Sequence, residues 1–394
     1  MKTIVVVGTG VAGTTTASTL RELGFDGRVL LVGREPHAPY RRTALSKDVL
    51  GGAKTVDEVL LHPDSWYSDQ AIELLTGTTV TALRPGAIEL DGRVLPADAT
   101  VLATGGAARP LRGALTLRTA ADVDVLQERL KPGGHAVVIG AGFLGAEVAS
   151  AALALGAAVT VLEAAASPLA RVLPAAVGDA VARRHRAHGI DLRVGTGLAR
   201  VEGRRVVDTS GVVHDADLVL AAIGQQPDVT LAATAGALTG DGIAVDRCGR
   251  TSLPGVWAAG DAAAFPDRSG TPRRLEHWHA AMTQGAVVAR ALLGDDTGWT
   301  DVPWAWSRHA GLDLQVCGHP HPDDDVTILG DPDAAFVALL SRGGESSGAV
   351  TVDRTPAMRT LRTLFAADPH VDVATAVAAV DDRVQEPVLV ASAR

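Results

Sequence analysis

Val5-Val6-Val7-Gly8-Thr9-Gly10-Val11-Ala12-Gly13 stands near the start of the chain, and Val137-Val138-Ile139-Gly140-Ala141-Gly142-Phe143-Leu144-Gly145 repeats its pattern far downstream. Each run of β-branched apolar residues predicts a buried strand, and each glycine turn leads into an Ala- and Leu-rich stretch of helical character. In a strand–turn–helix unit of this kind the three glycines have separate tasks. The first makes the tight turn, the second lets the backbone approach a pyrophosphate, and the third lets helix and strand pack closely. The phosphates then rest on the amide N–H groups of the helix N-terminus. A single copy is also compatible with a glycine-rich turn that binds nothing. Two copies in matching context predict two dinucleotide sites, Gly8, Gly10, Val11, Ala12 and Gly13 in one and Gly140, Gly142, Phe143, Leu144 and Gly145 in the other. The usual occupants of such a pair are a flavin and a nicotinamide, and the usual chemistry is hydride transfer between them.

Working outward, residues 4–8, 11–24 and 28–33 read as strand, helix and strand, the opening of a doubly wound sheet. Residues 99–105 form a strand ending in a glycine turn. Residues 136–163 repeat the opening unit, and 217–224 repeat the strand-then-glycine ending. A second copy of the unit is therefore inserted into the first, which resumes at 255–261. Beyond Gly318 the pattern changes to short β-like runs, such as 327–329 and 334–340, with one helix near 356–366. The expected organisation is a discontinuous FAD-binding domain over 1–112 and 242–318, an NAD-binding domain over 113–241, and a small α+β domain over 319–394.

At 394 residues the chain exceeds one comfortable core, which agrees with two or three domains. It is 47% hydrophobic and 21% charged, an ordinary globular balance. No apolar run is long enough to span a bilayer, and Met1-Lys2-Thr3 runs straight into a strand, leaving no room for a signal peptide; a cytoplasmic location is expected. A net charge of −9 argues against nucleic-acid binding. Cys248 and Cys317 form no Cys-x-x-Cys, so disulfide reduction by a redox-active pair is not expected, and both read as buried apolar thiols.

An acid at the end of the second strand of each unit should take the ribose hydroxyls. Glu163 closes Ala158-Val159-Thr160-Val161-Leu162-Glu163; its charge repels a 2′-phosphate, so NADH is favoured over NADPH. In the first unit Glu35, after Leu31-Val32-Gly33-Arg34, is the nearby acid, with a solvated loop carboxylate as the alternative.

The loop Pro39-Tyr40-Arg41-Arg42-Thr43-Ala44-Leu45-Ser46-Lys47 resembles the Pro-Tyr-x-Arg-Pro-Pro-Leu-Ser-Lys loop of the FAD-dependent NAD(P)H:ferredoxin reductases that serve cytochrome P450 and Rieske-type oxygenases. Ala103-Thr104-Gly105-Gly106 with Arg109, Gly260-Asp261, Leu275-Glu276-His277-Trp278 and Pro303-Trp304-Ala305-Trp306-Ser307 extend the resemblance over nearly the whole chain. It implies an α/β fold of two Rossmann-like dinucleotide-binding domains in a glutathione-reductase-like arrangement, with a small C-terminal α+β domain. It implies FAD in the first site and NADH in the second, with a 2Fe–2S ferredoxin as partner and a monomer or homodimer as the assembly. The flavin set it implies is Arg42, Val80, Ala103, Thr104, Gly105, Arg109, Gly260, Asp261 on the ribityl chain, Glu276, His277 and Trp278, while Gly224 falls to the nicotinamide side. It also implies a lysine near flavin N5 with a carboxylate partner, matched by Lys47 and Glu147; from the residues alone, a surface lysine and a helix-face glutamate are equally readable.

The chain departs from the family at Thr43 and Ala44, where two prolines are usual, at Arg34, where an acid is frequent, and at Ala305, Arg308, His309 and Ala310, where Phe, Asp, Gln and Tyr are usual. Three functions follow. The first is an NADH:ferredoxin reductase, with Arg41, Arg42 and Arg308 as a positive rim for an acidic partner. The second is direct reduction of a small molecule or oxygen, with space opened by the alanines. The third is a non-enzymatic binding protein that responds to nucleotide. His277 and His279 are readable either as acid–base groups or as packing residues.

Overall fold

The computed structural model describes residues 1–267, 270–380 and 388–390. The chain divides into two compact units, each discontinuous. Unit 1 is Met1–Thr43, Thr55–Ala107 and Gln225–Asp301; unit 2 is Ala44–Lys54, Ala108–Gly224 and Val302–Arg394.

Unit 1 is built on a five-stranded parallel sheet in the order Val256–Ala258, Ala99–Leu102, Thr3–Val7, Arg28–Val32, Ile72–Leu75. A parallel sheet covered on both faces needs continuously apolar strands, and Ile4, Val5, Val6, Leu30, Leu31, Val101 and Leu102 are all buried. The strand Val256–Ala258 completes one edge, as expected for a first unit that resumes late in the sequence. The helix Val11–Glu22 lies against the helix Trp278–Leu292 at backbone distance, because a Cβ on Gly285 would stand 2.4 Å from the Ala12 carbonyl oxygen. Thr16 Oγ1 clamps this contact by donating to Ala12 O at 2.9 Å or to Gly285 O at 3.1 Å.

Unit 2 repeats the scheme. Its parallel sheet runs Asp191–Val194, Ala158–Glu163, His135–Ile139, Leu218–Ala221, with the helix Phe143–Ala154 following the glycine turn. A six-stranded antiparallel sheet follows, in the order Trp304–His309, Leu312–Gly318, Glu345–Val352, Phe336–Arg342, Asp325–Gly330, Val388–Val390. Its period of two is visible in Phe336, Ala338 and Leu340, which join Val177, Ala180 and Val181 of the helix Ala175–Ala187, while Val337 and Leu339 join Met358, Leu361 and Phe365 of the helix Thr355–Ala367.

This sheet corrects the expected C-terminal domain. It begins at Trp304, not at 319, because Trp304–His309 and Leu312–Gly318 form a hairpin that pairs directly with Glu345–Val352. The other expected boundaries also move: the chain changes unit between 107 and 108 and between 224 and 225, and Ala44–Lys54 belongs with unit 2. Residues 381–387 and 391–394 of the expected terminal domain lie outside the described residues.

Candidate functional site

The two glycine loops have the same geometry. Gly8 and Gly140 sit in the left-handed region at φ 114° and 102°. A Cβ on Gly8 would stand 2.1 Å from Ala103 O, and one on Gly140 would stand 2.5 Å from Ala222 O. The third glycines are as tightly enclosed, since a Cβ on Gly13 would meet Gly8 O at 1.9 Å and one on Gly145 would meet Gly140 O at 2.0 Å. The second glycines are the opposite, with nothing within 4 Å of a Cβ on Gly10 or on Gly142. Close packing thus forbids a side chain at the first and third positions, whereas at the second the fold leaves empty space.

Gly10 and Gly142 are also the N-caps of their helices, both extended and with no side chain satisfying the first-turn N–H groups. A helix N-terminus that keeps its donors free beside open space suits a phosphate anion. In unit 1 two buried amide atoms near the Gly260–Asp261 turn have no hydrogen-bond partner within the described chain. They are Gln284 Nε2, whose Oε1 accepts the Gly260 N–H at 3.0 Å, and Gln225 Oε1, whose Nε2 donates to Asp261 Oδ2 at 2.9 Å. Orphaned buried polar atoms beside an open cradle fit a polar group bound there.

The remaining expected residues of unit 1 distribute as follows. Glu35 accepts from Arg42 Nη2 at 2.6 Å and from Tyr40 Oη at 2.5 Å. Burial acts to raise the Glu35 carboxyl, but Arg42 and Tyr40 prevail and hold it below its ordinary value. Burial likewise opposes the charge on Arg42, yet Tyr40, Glu35 and Asp261 hold its pKa above the ordinary value. Arg42 is therefore engaged inside this network and is not part of a surface rim; Arg41 is exposed. Glu35 keeps free lone pairs for a ribose hydroxyl. Thr104 Oγ1 donates to Asp228 O at 2.6 Å, and Asp228 N–H donates to Gly105 O at 2.9 Å, which fixes the Ala103–Gly105 turn. Val80 lies in the core, so it offers a ligand only its backbone. Glu276 is exposed and pairs with Arg274 at 2.5 Å. Trp278 opens its helix with His277 as N-cap, and desolvation pushes the His277 imidazole below its ordinary value. His279 pairs with Asp301 at 3.4 Å.

In unit 2, Lys47 follows a single wide helical turn, Leu45–Val49, closed by Leu50 N–H donating to Leu45 O at 3.0 Å. Turns of this width collect at functional sites. Lys47 Nζ lies 2.7 Å from Glu147 Oε1. Glu147, on the helix Phe143–Ala154, is only 8% exposed; its Oε1 also accepts from Ser307 Oγ at 2.5 Å, and its Oε2 accepts from Ser46 Oγ. A buried carboxylate with one cation and two hydroxyl donors is fully satisfied. The surface alternative for this pair is thereby excluded. Ser46 and Ser307 stood inside the family motifs but had been given no role. Glu163 closes its strand at the glycine loop, accepting from Ala141 N–H at 2.7 Å and Ala165 N–H at 2.8 Å. Phe143 and Leu144 form the first turn of the helix. Arg109, expected with the flavin residues of unit 1, falls in unit 2: its N–H donates to Gly224 O at 3.0 Å and its side chain is exposed.

Two features escaped sequence reasoning. The Arg171 guanidinium lies over Gly224, 3.2 Å from where a Cβ would be, so a cation does stand at the nicotinamide-side loop. The segment carrying it is anchored by Leu169, a left-handed residue at φ 60° whose N–H donates to Ala141 O at 3.2 Å. Secondly, His309 packs against His185, Nδ1 to Nε2 at 2.9 Å. Burial lowers the His185 pKa to about 4 and, with His185 and Lys47, drives that of His309 well below its ordinary value, so both rings are neutral. Cys248 and Cys317 are free and buried, as expected, and burial pushes the Cys317 thiol up to about 12. Among the described residues no group of side chains is arranged to hold a metal ion, and no helix is long and apolar enough to cross a membrane.

Residues 2–285 match the family model for pyridine nucleotide-disulphide oxidoreductases, and residues 304–385 match the one described as reductase C-terminal. The second match begins where the six-stranded sheet begins. The chain is 39% identical to the ferredoxin reductase component of chlorobenzene dioxygenase from Cupriavidus sp. (strain PS12), covering 89% of each protein. It is 38% identical, again over 89% of each, to the ferredoxin–NAD(+) reductase subunit of the benzene 1,2-dioxygenase system of Pseudomonas putida. Among solved structures it superposes with a TM-score of 0.90 on the reductase of the covalent putidaredoxin reductase–putidaredoxin complex, at 32% identity and covering 97% and 96% of the two chains. The ferredoxin reductase for the CYP199A2 system of Rhodopseudomonas palustris gives the same score and identity, with 97% and 98% covered. This chain therefore belongs to the pyridine nucleotide-disulphide oxidoreductases, within the FAD-dependent ferredoxin reductases of the oxygenase-coupled type.

Proposed function

We propose that this chain is an NADH:ferredoxin oxidoreductase that holds FAD in unit 1 and NADH in unit 2 and passes electrons singly to a 2Fe–2S ferredoxin serving a cytochrome P450 or Rieske-type oxygenase. The observation that carries this reading is the duplicated loop, with an open second glycine at a free helix N-terminus in each unit. It is supported by relatives named as ferredoxin reductase components of dioxygenase systems. When bound, FAD supplies the conversion of an electron pair from NADH into single electrons.

The chain's part is to bind and orient. Gly10 and the helix Val11–Glu22 receive one pyrophosphate, with Glu35 on the ribose, Asp261 on the ribityl chain, and Val80, Ala103, Thr104, Gly105, Glu276, His277 and Trp278 around the flavin. Gly142 and the helix Phe143–Ala154 receive the other pyrophosphate, with Glu163 on its ribose and Gly224 near the nicotinamide. Lys47, oriented by Glu147, is the cation that favours the reduced, negatively charged cofactor. We place the protein in the cytoplasm as a monomer or homodimer.

The test is NADH-driven reduction of cytochrome c by the FAD-loaded protein, with and without a small 2Fe–2S ferredoxin. A large ferredoxin-dependent rate is expected. A flavin that NADH bleaches rapidly but that ferredoxin does not reoxidise would instead favour direct reduction of a small molecule or oxygen. One structural detail weakens that second reading. Ala310 does not stand beside opened space but is buried in the tight turn Ala310-Gly311, with φ 49° and 71°, and its N–H donates to Ser150 Oγ at 2.9 Å.

A further inference from the structure

Gln225 opens the third segment of unit 1, immediately after the glycine-ended strand of the second nucleotide fold. Its side chain fits only because its neighbour lacks one, since a Cβ on Gly106 would stand 2.7 Å from Gln226 O and 3.1 Å from Gln225 Oε1. From this slot Nε2 donates to Asp261 Oδ2 at 2.9 Å. The orientation of the amide follows from chemistry, because an ionised carboxylate only accepts. Oε1 is then left buried without a partner among the described residues.

The backbone at Asp261 is fixed independently. Gly260 holds φ 73° against Ala12, and its N–H donates to Gln284 Oε1 at 3.0 Å. A fixed backbone does not fix a carboxylate, which keeps its side-chain rotations. Gln225 removes that freedom by holding one oxygen, and Arg42 contributes a favourable field.

We infer that Gln225 is a positioning residue of the flavin site: it holds one oxygen of Asp261 so that the other is presented to the ribityl chain, and its buried Oε1 offers a second acceptor to the same polyol. The inference rests on the reading that unit 1 takes FAD with Asp261 on the ribityl chain. Asp261 belongs to the recognised flavin motif; Gln225 does not, and its amide has no other task in the unit.

The experiment is titration of FAD into the apoprotein, followed by flavin fluorescence and the visible spectrum, with thermal melting of each apoprotein as the folding control. Gln225→Leu is expected to raise the Kd about 10- to 100-fold while leaving apoprotein melting within a few degrees, the effect of losing a hydrogen bond to a charged group. Gln225→Glu sets two carboxylates within hydrogen-bonding distance. Its Kd relative to wild type is expected to be raised at pH 8 and to recover as the pH falls toward about 5, where one shared proton restores the contact. A purely structural role does not produce that recovery. A wild-type Kd and spectrum in Gln225→Leu, or a pH-independent ratio in Gln225→Glu, overturns the inference. If Gln225→Leu does not fold, the pH dependence of Gln225→Glu decides alone. Failure of the wild-type protein itself to bind FAD overturns the underlying reading instead.

Discussion

Lys47 Nζ and Glu147 Oε1 are 2.7 Å apart, and Glu147 is the more deeply buried of the two. The pair joins residues from separate stretches of one unit, the wide turn Leu45–Val49 and the helix Phe143–Ala154. Removing the lysine leaves a buried carboxylate with only its two serine hydroxyls. Lys47→Met is expected to cost on the order of 2 kcal/mol in stability and to slow reduction of the bound flavin by NADH about 10-fold or more. Lys47→Met with Glu147→Gln should regain most of the stability and none of the rate, measured by chemical denaturation and stopped-flow absorbance. Recovery of rate in the double variant would remove the charge argument.

The open second glycines predict a clean separation of folding from binding. Gly10→Val and Gly142→Val meet nothing within 4 Å in the fold. Gly10→Val should therefore melt close to wild type but be purified largely without flavin. Gly142→Val should keep its flavin and raise the KM for NADH about 10-fold or more, since the backbone no longer approaches the pyrophosphate. Gly8→Ala, forced to φ 114° and 2.1 Å from Ala103 O, should by contrast lose stability outright.

Nucleotide choice rests on Glu163. Glu163→Gln removes the charge that repels a 2′-phosphate, and the preference for NADH over NADPH in kcat/KM should fall about 10-fold. Arg171→Ala should weaken NADH binding without changing flavin content, because its guanidinium covers Gly224 in unit 2. An unchanged KM would show that this arginine does not reach the nucleotide.

The neutral histidine pair predicts an acid-side weakness. His185 has a folded pKa near 4 against an ordinary value of about 6.5. Between those values the unfolded chain binds the proton and the folded one does not, so stability rises with pH across that window and is lost as pH falls through it. The loss from this group is on the order of 3 kcal/mol, and Tm between pH 7 and 4.5 should drop less steeply in His185→Leu than in wild type. Equal slopes would place the acid sensitivity elsewhere.

The fold was legible because its signal is periodic and local. The glycine loops and their flanking strands state turn, close approach and packing in nine residues each, and Gly8, Gly10 and Gly13 take those three roles in order. Glu147 had no such signal. Only the family resemblance separated it from any helix-face glutamate, and its partners Ser46 and Ser307 come from segments far apart in sequence. The boundary at 304 was missed because Trp304–His309 had been read for its aromatic motif and not for its pairing, which depends on residues 345–352. Arg171, Gln225 and His185 each act through one long-range contact, and no spacing in the sequence marks such a residue.

The central sheet of unit 1 has an edge strand, Val256–Ala258, whose hydrogen-bonded neighbour is Ala99–Leu102. On the ribosome this imposes an order of events. The glycine loop of unit 1 emerges first, yet its unit cannot close until residues up to Asp301 have been made. The parallel sheet of unit 2 lies entirely within Ala108–Gly224 and is available earlier. Long-range parallel pairing is slow and exposes apolar strands while it waits. The nascent protein thus carries a nearly complete second nucleotide fold while its first still lacks an edge, so cofactor capture by unit 1 belongs to the end of synthesis, and a chain cut short before Val256 would be aggregation-prone and colourless.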